Sequence, residues 1–330
     1  MPCLVMDFVV LGAGAIGSVV GARLFESGHR VTMVARGAHL EALRRDGLTV
    51  ETPDGETKLD LPVVDDPRRT DFAGDVVVLL CVKSQQTAAA LPVLALAATV
   101  TTPVVCVQNG VANERMALRW FQNVYGVPVM CPATFLVPGV VEAHSTPTTG
   151  ILDIGRYPGG HDETSDRIAR AFAASTFLSE VTDDIMRWKY RKLITNLGNA
   201  VEAICGREAR RGRVAELASS EGEEVLAVAG IEVASREEDR MRRGTHLKLG
   251  PIHGRARLGG SVWQSLARGT ATVETDYLNG EIVHLGRLHG FPTPVNAVLQ
   301  EVTRRMASER RPPGTLPEAE LLEMLPPRSR

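Results

Sequence analysis

The sequence predicts an α/β protein: an N-terminal doubly wound parallel sheet over residues 1–182, then a mainly α-helical domain over residues 183–330 that ends in a loose tail. Three observations carry this reading. Short, wholly apolar runs alternate with helical patterns through the first half, as in strands buried on both faces. Gly12-Ala13-Gly14-Ala15-Ile16-Gly17 stands directly between the first such run and the first helix. Beyond about Asp183 the apolar spacing is helical almost throughout.

Phe8-Val9-Val10-Leu11 reads as the first strand, residues 15–27 as a helix stopped by Gly28, and Val31-Thr32-Met33-Val34 as the second strand. The turn residues Thr52-Pro53-Asp54-Gly55, between Leu48-Thr49-Val50 and Leu59-Asp60-Leu61, predict an inserted hairpin. Val76-Val77-Val78-Leu79-Leu80 and Val104-Val105-Cys106-Val107 are two more buried strands, each followed by a helical stretch. After Gln122 the texture turns to β segments broken by Pro132, Pro138 and Pro147, ending at Ile151-Leu152-Asp153-Ile154-Gly155. Residues 185–205, 214–229, 261–289 and 295–307 read as helices. The Gly- and Arg-rich stretch 236–260 reads as a loop or broken helix, and a solvated basic loop suits it better than an anion-attracting patch. The tail carries Pro312, Pro313, Pro317, Pro326 and Pro327 and is expected to be loose at its end.

Length and composition bound the function. The 330 residues suffice for about two domains at roughly 150 residues each. A 44% hydrophobic and 23% charged composition excludes a disordered or collagen-like chain. The net charge of −2 gives no drive towards polyanions, so nucleic acid is not an expected partner. Of the five cysteines (Cys3, Cys81, Cys106, Cys131, Cys205) no two form a C-x-x-C pair, and most sit in apolar runs, as buried free thiols of a reducing compartment do. Asp7 interrupts the opening stretch, so no leader is expected; the most apolar region, 91–107, is broken by Pro92 and Pro103, so no membrane span is expected either. The expectation is a cytoplasmic globular protein.

The glycine pattern is the first chemical signal. Its first glycine allows a tight turn, its second lets backbone approach a pyrophosphate, and its third lets helix and strand pack closely; this is the Rossmann-type fingerprint. The N–H groups at the following helix start then face the phosphates. Gly12, Gly14, Ala15, Ile16 and Gly17 are therefore cofactor-binding candidates. The second strand ends in Val34-Ala35-Arg36-Gly37, with no carboxylate to hold a ribose 2′-hydroxyl. Arg36 can instead stack on adenine and pair with a 2′-phosphate, which favours NADP(H) over NAD(H).

The second signal is Lys192, Asn196 and Asn199, spaced four and three apart and so on one helix face, with Leu193, Ile194 and Leu197 elsewhere on it. A lysine beside two amides can hold a carboxylate or carbonyl and donate a proton. On spacing alone, a solvated lysine with amides packed against loops is the plainer reading. Likewise Glu274 and Asp276 read first as exposed helix charges, and Ser261 as either a carboxylate ligand or a helix cap. No histidine shows zinc-ligand spacing and no G-x-S-x-G elbow is present, so no metal is expected.

Taken in order, the glycine pattern, Arg36, Val82-Lys83, Gln108-Asn109-Gly110, Arg191-Lys192-Leu193 with Asn196, Glu274-Thr275-Asp276-Tyr277-Leu278-Asn279-Gly280, and Gly290-Phe291-Pro292-Thr293-Pro294-Val295-Asn296 resemble the ketopantoate reductase family. The likeness runs over nearly the whole chain and is weakest at the middle strands, the Arg-rich stretch and the tail. It implies NADPH-dependent reduction of a 2-keto acid, 2-dehydropantoate or a close analogue, in a cleft between a Rossmann and a helical domain. By the same resemblance Lys192 is the general acid and Glu274 supports the site. Asn109, Asn196, Asn199 and Ser261 meet the substrate, and Lys83, Asn109 and Glu274 join the cofactor contacts. A homodimer is left open. An imine- or opine-type reductase on this scaffold, or a non-catalytic NADP(H) sensor, are the alternatives; an intact Lys192, Asn196 and Glu274 set counts against the sensor. The chain departs from the family where Ala200 replaces a second asparagine eight residues after the lysine, with Asn199 one position early. One extra residue lies between Ser261 and Glu274, and a glycine-rich turn is altered to His144-Ser145-Thr146-Pro147-Thr148. Each departure touches the substrate side more than the cofactor side.

Overall fold

A computed structural model describes residues 5–326; Cys3 and Pro327 lie outside the described residues. The chain begins β1 (Asp7–Leu11), α1 (Ala15–Glu26), β2 (Arg30–Val34), α2 (Gly37–Asp46), then a hairpin of β3 (Leu48–Thr52) and β4 (Gly55–Leu59). It goes on through β5 (Val63–Val64), β6 (Val76–Leu80), α3 (Ser84–Ala95), β7 (Val104–Cys106), α4 (Asn113–Ala117) and β8 (Val124–Gly126). The short strands β9 (Ala133–Thr134), β10 (Val140–Ala143), β11 (Gly150–Ile151) and β12 (Gly155–Arg156) follow, then α5 (Glu163–Ala174) and β13 (Phe177–Leu178). Helices complete the chain: α6 (Ile185–Cys205), α7 (Arg213–Val228), α8 (Arg236–Arg243), α9 (Ser261–Ala267), α10 (Asn279–Leu288), α11 (Pro294–Ser308) and α12 (Glu318–Glu323). None is long and apolar enough to cross a membrane.

The main sheet has the order β12-β8-β7-β6-β1-β2-β5, parallel except for the β8–β12 edge. Its six parallel strands diverge from the β1–β6 pair, the doubly wound order of dinucleotide-binding sheets. The unbroken apolar runs follow from burial on both faces. Phe8 and Val10 of β1, with Val77 and Leu79 of β6, enter one core; Val9, Leu11, Val76, Val78 and Leu80 enter the other. The hairpin lies outside this sheet, with β3 parallel to β10. Its second strand starts at Gly55, earlier than the sequence suggests. The reason is the turn: Thr52 Oγ1 accepts from the Asp54 N–H (3.2 Å) and donates to the Gly55 carbonyl (2.9 Å), bringing Gly55 opposite Thr52.

Two compact units result, one of residues up to Lys189 plus Arg236–Arg257, the other of Tyr190–Ser235 plus Leu258 onward. The division thus falls inside α6, where sequence places a single boundary near Asp183. The Arg-rich stretch joins the first unit because Arg242 clamps Asp153 (Nε–Oδ2 2.8 Å, Nη2–Oδ1 2.5 Å) and the Gly250 N–H bonds the His144 carbonyl (2.9 Å). With Arg240 on Glu237 and Arg243 on Asp239 as well, these arginines are spent on carboxylates and do not form an anion-binding patch.

In the second unit α7, α10 and α11 pack on one another, and Gly222 of α7 admits the side chains of Ile194 and Leu197 from α6: a Cβ there would lie 2.8 Å from each. A buried polar network ties the helices. Asn279 Nδ2 donates to the Asn296 Oδ1 (2.9 Å), Asn296 Nδ2 to Glu221 (2.8 Å), and Glu221 accepts the Val295 and Asn296 N–H groups that open α11. One expectation is corrected here. Residues 261–289 are not one helix: Gly269 turns left-handed (φ +66°) and Thr270 Oγ1 takes the Ser265 carbonyl (2.8 Å), ending α9 before a 3₁₀ turn at Glu274–Tyr277 and α10. The described part of the tail packs on this unit, with Leu321 fully buried and Glu318 accepting the Val214 N–H (3.0 Å) at the start of α7; the tail's end, expected to be loose, lies outside the described residues.

Candidate active site

In the first unit the turn after β1 is built for close approach. Gly12 adopts φ +110°, and a Cβ there would sit 2.7 Å from the Val82 nitrogen. A Cβ on Gly17 would collide with the Gly12 carbonyl oxygen, so any side chain would push α1 off the sheet. By contrast the space beside Gly14 is open. Ala15 and Ile16 begin α1 at that open side, where the first N–H groups have no partner within the helix. These features fit a dinucleotide pyrophosphate.

Arg36 precedes α2 in extended conformation (φ −142°, ψ 159°), exposed, and its guanidinium makes no hydrogen bond or ion pair among the described residues. It lines an open pocket of about 550 Å³ with Asp65, Asp66, Arg68 and Arg69. Arg68 holds the Asp66 carboxyl down at about 2, first through its side chain and then its N–H, and the charge of Arg36 adds to this.

Lys83, half-buried beyond β6, donates its N–H to the Gln86 side chain (3.2 Å) at the start of α3. Beyond β7, the turn Gln108-Asn109-Gly110 is pinned on every side. Gln108 Nε2 donates to the Val82 carbonyl (2.6 Å) and Thr87 (2.9 Å), while Ser84 Oγ and Asn113 Nδ2 donate to the Asn109 carbonyl (3.2 and 3.0 Å). Lys189 of α6 donates to the Gln108 carbonyl (3.1 Å) and forms an ion pair with Glu114 of α4; both side chains are almost wholly buried. Sequence reasoning missed Ser84, Thr87, Asn113, Glu114 and Lys189. The sequence carries no signal that singles the pair out, since Glu114 stands between Asn113 and Arg115, and Lys189 among Arg187, Arg191 and Lys192.

In the second unit, α6 presents Lys192 half-buried and Asn196 and Asn199 buried on one face. Arg191 is turned away, donating to the Ala234 carbonyl (2.5 Å) and to Glu223 (2.8 Å). Asn199 meets the segment that carries Ser261: its Oδ1 lies 3.3 Å from where a Gly260 Cβ would be, and Glu202, paired with Arg210 (2.5 Å), accepts the Gly260 N–H (3.0 Å). Asn199 Oδ1 and Ser261 Oγ are both buried with no hydrogen-bond partner among the described residues. Glu274 is buried at the start of the 3₁₀ turn, not an exposed helix charge, whereas Asp276 two residues on is partly exposed and pairs with Arg304 (2.6 Å). One His/carboxylate group with ligand atoms within 4.8 Å of one another occurs among the described residues, Glu51, Glu56 and His253, on the hairpin side of the first unit.

The family description "Ketopantoate reductase PanE/ApbA" matches residues 8–159, and its C-terminal counterpart matches 184–307. The chain belongs to the ketopantoate reductase family. Among curated ketopantoate reductase relatives, the 2-dehydropantoate 2-reductase of Halobacterium salinarum is 31% identical over 91% of this chain and 98% of its own. That of Pyrococcus horikoshii is 29% identical over 92% and 98%. A solved PanE/ApbA family ketopantoate reductase from Ralstonia eutropha superposes with a TM-score of 0.77 at 28% identity, covering 93% of this chain and all of that one. D-mandelate dehydrogenase with NADH and anilino(oxo)acetate superposes at 0.79 with 23% identity, covering 92% and 99%, a likeness of fold. The ketopantoate reductases are oxidoreductases.

Proposed function

We propose that this chain is an NADPH-dependent 2-keto acid reductase that yields the 2-hydroxy acid, with 2-dehydropantoate or a close analogue as substrate. One observation carries the reading: in a ketopantoate reductase family member, a single face of α6 bears Lys192 with two buried amides, Asn196 and Asn199. When bound, the nicotinamide supplies a hydride. Gly12, Gly14, Ala15, Ile16 and Gly17 would hold the pyrophosphate, and Arg36 the 2′-phosphate. Lys83 and Asn109 follow the carboxyl ends of β6 and β7, the edge at which such sheets take ligands.

Lys192 holds a proton at Nζ and gives it to the carbonyl oxygen of the substrate, and its charge stabilises the negative charge developing there. Asn196, Asn199 and Ser261 bind the substrate's polar groups. The unpartnered oxygens of Asn199 and Ser261 support this, since a buried polar atom without a partner is costly and a ligand donor removes that cost. Glu274 supports the positive charge of the lysine and adjoins the cofactor.

The test is NADPH oxidation with 2-dehydropantoate beside a panel of branched 2-keto acids. Preference for 2-dehydropantoate supports the full reading, and activity on another keto acid alone keeps the mechanism but moves the substrate. Tight NADPH binding with no turnover on the panel would overturn it in favour of an imine- or opine-type substrate or a sensor. Cofactor choice has its own check: Arg36→Asp should weaken NADPH about tenfold or more, a charge-assisted contact being worth a factor of that order, and far more than it weakens NADH. Equal losses would remove Arg36 as the selector.

A further inference from the structure

The pocket beside Arg36 contains two carboxylates, an unexpected content for a phosphate site. Asp65 and Asp66 line it together with Arg36, Arg68 and Arg69, so it carries three positive charges against two negative. A carboxylate at this end of a dinucleotide fold ordinarily accepts the ribose 2′-hydroxyl and repels a 2′-phosphate. Here each carboxylate faces arginines, Asp66 through hydrogen bonds and Asp65 through ion pairs alone, its Oδ1 having no hydrogen-bond partner among the described residues. Arg68 grips Asp66 through Nε (3.0 Å), Nη2 (2.6 Å) and its own backbone N–H (2.9 Å). Asp65 faces Arg69 at 3.3 Å and Arg44 at 3.8 Å. Arg36 is left as the guanidinium of this pocket without an ion pair among the described residues.

We propose that the Arg68–Asp66 pair sets the cofactor preference of this chain: by occupying both oxygens of Asp66, Arg68 keeps that carboxylate from capturing Arg36 or a ribose 2′-hydroxyl, so Arg36 stays available to a 2′-phosphate. Arg68 is a positioning residue that acts through Asp66. The proposal rests on the reading of Arg36 as the 2′-phosphate ligand. Physically it follows from the planar fork of arginine, which matches a carboxylate in two parallel hydrogen bonds and leaves little of it for another partner. An aspartate carboxylate is ionised at neutral pH even without such a partner, so an uncovered Asp66 would act as a full negative charge beside the phosphate.

The experiment is titration of the full chain with NADPH and with NADH, followed by cofactor fluorescence, for the wild type, Arg68→Gln, the Asp66→Asn/Arg68→Gln double variant and Arg36→Asp. Arg68→Gln should weaken NADPH roughly tenfold, the scale of one charge-assisted contact, and leave NADH unchanged or tighter. The double variant should return NADPH affinity to near the wild-type value, because the carboxylate that needed covering is gone. If the double variant binds NADPH as poorly as Arg68→Gln, Arg68 touches the phosphate directly and the proposal fails. Equal weakening of both cofactors by Arg68→Gln would assign it a merely structural role and also overturn the proposal. Arg36→Asp separates this from failure of the underlying reading: if it does not distinguish NADPH from NADH, it is the phosphate assignment itself that falls.

Discussion

Lys192→Ala should lower turnover by about 10²–10⁴-fold, the usual contribution of a positioned general acid, while NADPH affinity stays within a small factor of the wild type. The size of the loss follows from the lack of a substitute. Arg191, the neighbouring cation on α6, is committed to the Ala234 carbonyl and Glu223, and a guanidinium releases protons too reluctantly to act as an acid. For the same reason Lys192→Arg should retain the positive charge but recover little of the rate. Stopped-flow measurement of a single turnover, with cofactor affinity determined separately, makes the distinction. A loss below about tenfold in the chemical step would mean that Lys192 binds substrate without protonating it.

Lys189→Met is expected to destabilise the first unit by about 3–5 kcal/mol, the cost of removing one partner from a buried ion pair. Glu114 is fully buried, and its Oε2 already lacks a hydrogen-bond partner among the described residues, so deleting the ammonium strands a buried carboxylate. The same substitution removes the hydrogen bond to the Gln108 carbonyl that helps hold the turn carrying Asn109. Urea denaturation should show a lower midpoint for Lys189→Met and for Glu114→Gln, with much of the loss recovered in the double variant, because apolar or neutral replacement of both partners leaves no orphaned charge. If the two single losses simply add in the double variant, the pair is not coupled and the cost is one of packing.

Lys189 and Lys192 show how far the sequence could be read. They lie three residues apart on one helix and are the same residue type. The i, i+4 and i+7 pattern from Lys192 through Asn196 to Asn199 is visible in the chain itself, because helical spacing is local. That Lys189 is structural depends on Glu114, 75 residues away, and no spacing rule connects the two. Glu274 makes the same point in reverse. Its spacing suggested an exposed helix charge; only a family resemblance gave it a role, and the fold buries it at a 3₁₀ turn.

The doubly wound sheet and the dinucleotide turn were legible because strand, tight turn and helix follow one another within a few residues, so the glycine pattern stands in one short stretch, although what crowds Gly12 is the distant Val82. The departures have two sources, a local break that apolar spacing does not show and distant groups that decide the outcome. Residues 261–289 keep a helical apolar spacing, yet Gly269 in the left-handed region and the Thr270 hydroxyl on the Ser265 carbonyl break them into separate elements. The proline-rich tail folds back because Glu318 finds the Val214 N–H 104 residues away. Likewise the Arg-rich stretch belongs to the first unit through Arg242 and Asp153, 89 residues apart. Local propensity and periodicity are properties of neighbouring residues and can be read from the chain. The choice of ionic and hydrogen-bond partners, which decides whether a charge serves the fold or is left for a ligand, exists only once the chain has closed on itself.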